Sequence, residues 1–322
     1  MAFKRFKPVF NPDMYHGRGK KRSFFEGWYF KLVNREGDKI YAIIPGVSID
    51  SNGSKHSFIQ VLDGTNASSE YFKFNFEDFR TSTRKFKISI SGNIFSRNYI
   101  SLNLPSYSGY LEFTALNRWP NRWYSPGIMG PYTFVPFMEC YHGIVSMDHK
   151  ITGKLTISSA TIDFNGGRGY IEKDWGQSFP EAYIWLQSNH FKEDGTSIKL
   201  SVARIPWLRR SFTGFIAGLL HNGKLYRFTT YNSSRLEQIN ITIEDLTIVL
   251  VNKRYRIRIF AEREKATLLS SPISGAMSGH ISESMTSKVE ITLSDIKSGS
   301  IIFKGSGLNT ALEVAGKIDL LK

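Results

Sequence analysis

Arg254-Tyr255-Arg256-Ile257-Arg258-Ile259-Phe260 alternates charge and hydrocarbon without a break. In an extended chain this spacing sends the three arginines to one side and Tyr255, Ile257 and Ile259 to the other, as in a strand with one wet and one dry face. The same two-residue period recurs on either side of it. Before the middle of the chain it covers 28–33, 39–44, 56–62, 71–76, 85–90, 99–104 and 110–116; after it, 182–188, 197–203, 213–220, 224–231, 246–251 and 288–293. Turn chemistry separates the runs: Asn222-Gly223 suits a type I′ hairpin, and Asn52-Gly53 and Asp194-Gly195 stand in similar places. No stretch holds a 3.6-residue period over the length of a helix. The expectation is an all-β chain, and many short, evenly spaced strands favour antiparallel barrels or curled sheets over a sandwich.

At 322 residues the chain has room for two modules, each with its own core. An internal echo supports two. Glu26 is followed by Trp28 and Phe30, and Glu181 by Tyr183 and Trp185, so each half opens with an acid and aromatics sharing one strand face. The halves meet at the glycine-rich Asn165-Gly166-Gly167-Arg168-Gly169, which sets the expected domains at 1–165 and 166–322. Between Asn117 and Pro136, a cluster of Trp, Pro and Gly is too broken for a strand and reads as a long ordered loop over a pocket or a barrel end.

Lys and Arg number 42 against 28 Asp and Glu, a net charge of +14 that serves solubility and attracts anionic lipid surfaces. No helix-turn-helix, zinc-finger or RNA-recognition signature accompanies it, so a specific nucleic-acid role is set aside. The single cysteine, Cys140, rules out an intrachain disulfide and fits a reducing cytoplasm. The first eight residues are basic without the apolar run of a signal peptide, and the apolar run 212–220 is too short to span a bilayer. Any membrane contact is therefore expected to be peripheral.

Several chemistries leave no trace. A phosphate-binding P-loop, a zinc-protease helix and a serine-hydrolase elbow are absent, and Gly17-Arg18-Gly19 and Gly167-Arg168-Gly169 lack the third glycine of a dinucleotide site. Alternation puts Cys140 and His142 on one strand face, but with other ligand types dispersed, a core cysteine beside a hydrogen-bonded histidine is the simpler reading and no metal is expected. Carboxylates among aromatics remain. Glu26 lies in Ser23-Phe24-Phe25-Glu26-Gly27-Trp28-Tyr29-Phe30-Lys31, either turned to water or buried and available as an acid. Glu172 and Asp174, in Gly169-Tyr170-Ile171-Glu172-Lys173-Asp174-Trp175-Gly176, share one extended face with Lys173 on the other; they are a surface pair in a loop or a coupled acid pair.

These two segments, with Phe179-Pro180, resemble signatures of the tocopherol cyclase family, as do Pro136-Phe137-Met138-Glu139-Cys140-Tyr141-His142-Gly143 and Ser188-Asn189-His190-Phe191. The resemblance spans about residues 12 to 320, and with no transit peptide before the first motif the chain resembles a bacterial member. It implies two lipocalin-like β modules, as in related carotenoid hydratases, able to hold a lipid. It also implies a redox-neutral ring closure without a cofactor: an acid protonates the alkene of a prenylated hydroquinone, and the phenol oxygen captures the tertiary cation. On this footing Glu172, Asp174 and Glu26, in that order, are the acid or base candidates, and His142 and His190 would relay a proton or orient the quinol. Trp28, Trp175 and Trp185 would wall the cation, and Phe30, Glu139, Glu181 and Asn189 complete the expected substrate contacts. Two other readings stand beside the cyclase: a hydratase of a carotenoid-like polyene, in which water replaces the phenol, and a carrier that binds a hydrophobic ligand without turnover.

Overall fold

The computed structural model describes residues 8–322; the basic stretch 1–7, read above for a targeting signal, lies outside them. Among the described residues the only regular helices are four 3-10 turns, Phe76–Asp78, Gly130–Phe134, Thr230–Asn232 and Ile318–Leu321, and no helix is long and apolar enough to cross a membrane. The rest of the regular structure is antiparallel strand, as the two-residue period requires. In Tyr255–Glu262, Ile257, Ile259 and Ala261 are buried while Arg256 and Arg258 are exposed.

The chain divides into two compact units, the first holding the residues up to Phe179 together with Leu269–His280, the second Pro180–Leu268 with Ile281–Lys322. This departs from the boundary expected at 165/166 for two physical reasons. Strand Gly167–Gly176 pairs with Phe24–Val33 on one side and Cys140–Ile157 on the other, so it is a central strand of the first sheet and not the start of the second unit. Leu269–His280 is held to the first unit by its polar groups: Ser270 N–H donates to Gln60 Oε1 at 2.9 Å, Ser48 Oγ donates to the Gly275 carbonyl at 2.7 Å, and Gly275 N–H donates to the Gln177 carbonyl at 2.7 Å.

In the first unit, Ser68–Asn75, Lys55–Asp63, Ile40–Ile49 and Phe24–Val33 form a meander beside Gly167–Gly176. The sheet continues through Cys140–Ile157, Tyr107–Asn117, Tyr99–Asn103, Asn93–Ser96 and Lys87–Ile90 to Phe79–Thr81, and curls into a nearly closed barrel. Trp28, Phe30, Leu32, Phe95, Phe113 and Ile171 belong to the core it encloses. In the second unit, Ala182–Ser188 again stands beside the last long strand, Ile301–Gly316, with meanders on either side of the pair. Both units therefore use one strand order, the topological counterpart of the echo in the sequence. The residue-level match does not survive: Trp28 and Phe30 enter their core, whereas Ala182, Ile184 and Leu186 enter theirs, leaving Tyr183 and Trp185 on the other face.

Of two of the longest strands, Cys140–Ile157 is absent from the period-two runs and Ala276–Asp295 shows the period only over 288–293, because bulges break their phase. Pairing slips between Ile144, Ser146 and His149 in the first, and between Ser284, Ser287 and Val289 in the second.

Candidate active site

Strand alternation sorts the candidates of the first unit onto two faces. Glu26 lies opposite Trp175, Trp28 opposite Lys173 and Phe30 opposite Ile171; Gly27 lies opposite Asp174, Tyr29 opposite Glu172 and Lys31 opposite Tyr170. Trp28, Phe30, Ile171 and Trp175 belong to the core, so Glu26 and Lys173 face inward with them, and Tyr170, Glu172 and Asp174 point the other way. The expectation that Glu26 joins Glu172 and Asp174 in one constellation is thus corrected.

On the inward face Glu26 and Lys173, both fully buried, form an ion pair with Nζ 2.6 Å from Oε1. The backbone N–H groups of His16 and Gly17 donate to the same carboxylate at 2.9 to 3.0 Å. Lys173 also donates to the Pro12 and Met14 carbonyls and lies 2.7 Å from His16 Nδ1. Its ammonium sits 4.8 Å from the Trp28 ring centre and 4.7 Å from that of Trp175. The two tryptophans do face a cation, but it is the protein's own. Burial pushes the Glu26 carboxyl up, yet the Lys173 ammonium and the bonds from His16 outweigh it and hold the group below its ordinary range. Glu26 is therefore an ionised structural anchor for the Pro12–Gly17 segment.

The His16 ring, stacked on Trp175 at 4.0 Å, is pushed from 6.5 down to about 4, first by burial and then by the Lys173 charge. The unfolded chain takes up this proton below about 6.5 while the folded chain resists it until about 4, so stability is full above the window and falls through it as pH drops. His149, lowered to about 3 by burial and Arg168, acts in the same sense. The melting temperature should fall between pH 6.5 and 4, and His16→Gln should flatten that slope; an unchanged slope in the variant would remove His16 from the account.

On the other face three side chains converge. His142 Nδ1 lies 2.5 Å from Asp174 Oδ1 and 2.9 Å from Glu172 Oε1, because His142 and Ile144 sit opposite Asp174 and Glu172 across the ladder. The Tyr170 hydroxyl donates to Glu172 Oε2, and Cys140 Sγ is 3.9 Å from Asp174 Oδ1. Burial first, and the Glu172 charge second, raise the Tyr170 hydroxyl well above its ordinary range, so it stays protonated and keeps its proton for the bond to Glu172. The cluster is graded in depth: the Glu172 side chain is 1% exposed, against 21% for Asp174 and 22% for His142. One nitrogen and two carboxylate oxygens within 4.8 Å of one another form a set that a divalent cation would also fit. As arranged, they touch each other directly and can pass one proton among themselves.

The remaining candidates take the following places. Glu139 offers its backbone carbonyl to the Gln177 and Ser178 N–H groups. In the second unit Glu181, expected among the substrate contacts, is an exposed residue ion-paired with exposed Lys317 at 2.6 Å, a solvated pair. His190 is half-buried at a short pairing with Leu308, and Asn189 is buried beside it. Trp185 lies under Lys199, whose Nζ is 4.8 Å from its ring centre and donates to Ser201 Oγ at 2.8 Å; Tyr183 donates to Glu313 at 2.7 Å. Sequence reading did not single out Lys199 or Glu313, since lone polar residues within apolar runs carry no motif. It also passed over His16, which becomes informative only when the chain brings it to Glu26.

The fold and this site define a lipocalin-like, all-β protein of two modules with a buried carboxylate–imidazole cluster on the first. In solved structures the likeness is one of fold: CghA, solved with Sch210972, aligns over 91% of this chain and 88% of its own at 11% identity, with a TM-score of 0.57. An AttH-type protein of Nitrosomonas europaea aligns over 91% and 93% at 14% identity, with a TM-score of 0.50. Residues 110–316 match the tocopherol cyclase-like family, and the chain belongs to it. Over 105 residues it is 27% identical to the "Probable tocopherol cyclase, chloroplastic" of Oryza sativa subsp. japonica and 26% identical to the "Tocopherol cyclase, chloroplastic" of Zea mays. Each match covers 31% of this chain and 22% of the plant protein.

Proposed function

We propose that this protein is a cyclase that closes a chromanol ring from a prenylated hydroquinone by protonating the alkene of the prenyl chain. The observation that carries the reading is the contact of His142 with both Asp174 and Glu172, next to the Tyr170 hydroxyl. Family membership and the name of the maize relative support the same chemistry.

Asp174 is the donor in this scheme, because of the two carboxylates it is the one a substrate can reach. Its proton goes to the less substituted alkene carbon, the π pair forms the new C–H bond, and a tertiary cation remains. The neighbouring phenol oxygen closes the ring, and its proton returns through His142 to Asp174, so the cycle is redox-neutral and the enzyme ends as it began. Glu172, behind them and held by Tyr170, positions His142 and balances its charge. Glu26, third in the expected order, has no part in the proton transfer, and Asp174 takes the donor's place expected first of Glu172.

Incubation of the purified protein with a prenylated hydroquinone under reducing conditions, followed by chromatography and mass spectrometry, tests the reading. A product of unchanged mass and new retention time supports the cyclase, a gain of one water would make the protein a hydratase, and unaltered ligand would make it a carrier. Turnover should also survive chelation. A loss reversed by a divalent ion would reassign His142, Glu172 and Asp174 as a metal centre.

A further inference from the structure

The loop between strands Tyr107–Asn117 and Cys140–Ile157 has two unlike sides. Its inner side is anchored: Trp119, Ile128 and Met129 are buried, Gly127 N–H donates to Asn121 Oδ1 at 3.2 Å, and Thr133 Oγ1 donates to the Pro126 carbonyl at 3.1 Å. Its outer side presents aromatic rings to solvent. Trp123 is 79% exposed, and Tyr124, Phe134 and Phe10 are exposed with it. These rings form one patch, since Phe10 meets Phe134 edge-on at 6.0 Å and its carbonyl accepts from the Asn121 side chain at 2.9 Å, two residues before Trp123.

Isolated exposed apolar side chains need no explanation, but several aromatics on a well-anchored loop do. The chemistry around them selects a partner. No acidic residue occurs from Asn117 to Met138, whereas Arg118 and Arg122 lie there. Arg122 is exposed and donates to the Tyr124 hydroxyl at 2.6 Å, which places a guanidinium among the rings. Rings that sit at headgroup depth beside a cation that meets phosphate are the combination a bilayer surface accommodates, and the net charge of +14 adds attraction to anionic lipid. We propose that this loop docks the protein on an anionic bilayer surface, with Trp123 and Tyr124 entering the headgroup layer and Arg122 contacting lipid phosphate. The proposal is independent of the reaction assigned above, because it concerns the whole protein and lipid without substrate.

Flotation of the purified protein with vesicles of phosphatidylcholine and phosphatidylglycerol, and with phosphatidylcholine alone, tests it. The expected result is binding to the anionic vesicles that weakens in high salt, with a blue shift of tryptophan emission. The double substitution Trp123→Ser/Tyr124→Ser should lower partition at least about tenfold, remove the blue shift and leave circular dichroism unchanged. Ile243→Ser, which removes an equally exposed apolar side chain in the second unit at 87% exposure, should bind as the parent does. The proposal is overturned if the parent protein ignores anionic vesicles, if the Trp123/Tyr124 variant binds undiminished, or if Ile243→Ser loses as much. A variant that converts a dimer to a monomer while keeping vesicle binding overturns it too, and gives the patch to a second copy of the chain.

Discussion

Asp174→Asn should lower turnover of a prenylated hydroquinone by at least about a hundredfold, the scale of losing a positioned general acid, with little change in melting temperature. The amide keeps the size and much of the hydrogen bonding of the carboxyl but has no acidic proton for the alkene. The site is also 21% exposed, so water can take up part of what the carboxylate loses. His142→Gln should fall by a comparable factor, since it contacts both carboxylates and closes the proton circuit. Glu172→Gln should act differently. As a positioning residue it should shift the pH profile of kcat more than it lowers the maximum. These losses should not add when combined, because the groups act as one unit. Full turnover in both Asp174→Asn and His142→Gln would remove the cluster from the chemistry.

Lys173→Met should destabilise the first unit by about 3–5 kcal/mol, since it strands the fully buried Glu26 carboxylate without its counter-charge. For a unit of this size that corresponds to a fall in melting temperature of roughly 6–20 °C. Glu26→Gln should also destabilise, by leaving the Lys173 ammonium with neutral partners. The double variant Glu26→Gln/Lys173→Met should be more stable than the sum of the two losses predicts, because neither charge is then orphaned. Removing the exposed pair Glu181 and Lys317 provides the contrast, with no resolvable change in the unfolding transition expected. Thermal and denaturant unfolding measure all of these. If Glu26→Gln abolished turnover while leaving stability untouched, the anchoring role would be wrong and the inward face would regain its claim to the chemistry.

Much of the site was legible before the structure. Residues two apart in a strand share a face, so Glu172 with Asp174, and Cys140 with His142, could be paired from spacing alone, with Lys173 turned away. What spacing cannot supply is which strands become neighbours. That Cys140–Ile157 lies beside Gly167–Gly176, bringing His142 to Asp174, is a pairing whose register passes through bulges that leave no periodic mark. The same limit explains Glu26. Its aromatic setting left it either turned to water or buried with a raised pKa; the strand face buried it, and the sign of the shift was decided by Lys173, brought opposite Trp28 by strand pairing, and by His16, brought in by the segment before the first strand.

The sequence by itself determined that this protein is all-β, since period-two alternation is a local property that each strand carries whatever it pairs with. It also determined the family, through aromatic motifs that remain readable in linear order. Tertiary structure alone decided where the first unit ends, which of three carboxylates stand together, and which one is consumed by a buried ion pair. The physical reason is that strand partners distant in the chain set the electrostatic surroundings of a side chain, and a buried carboxylate's charge state follows the nearest cation more than its neighbours in sequence.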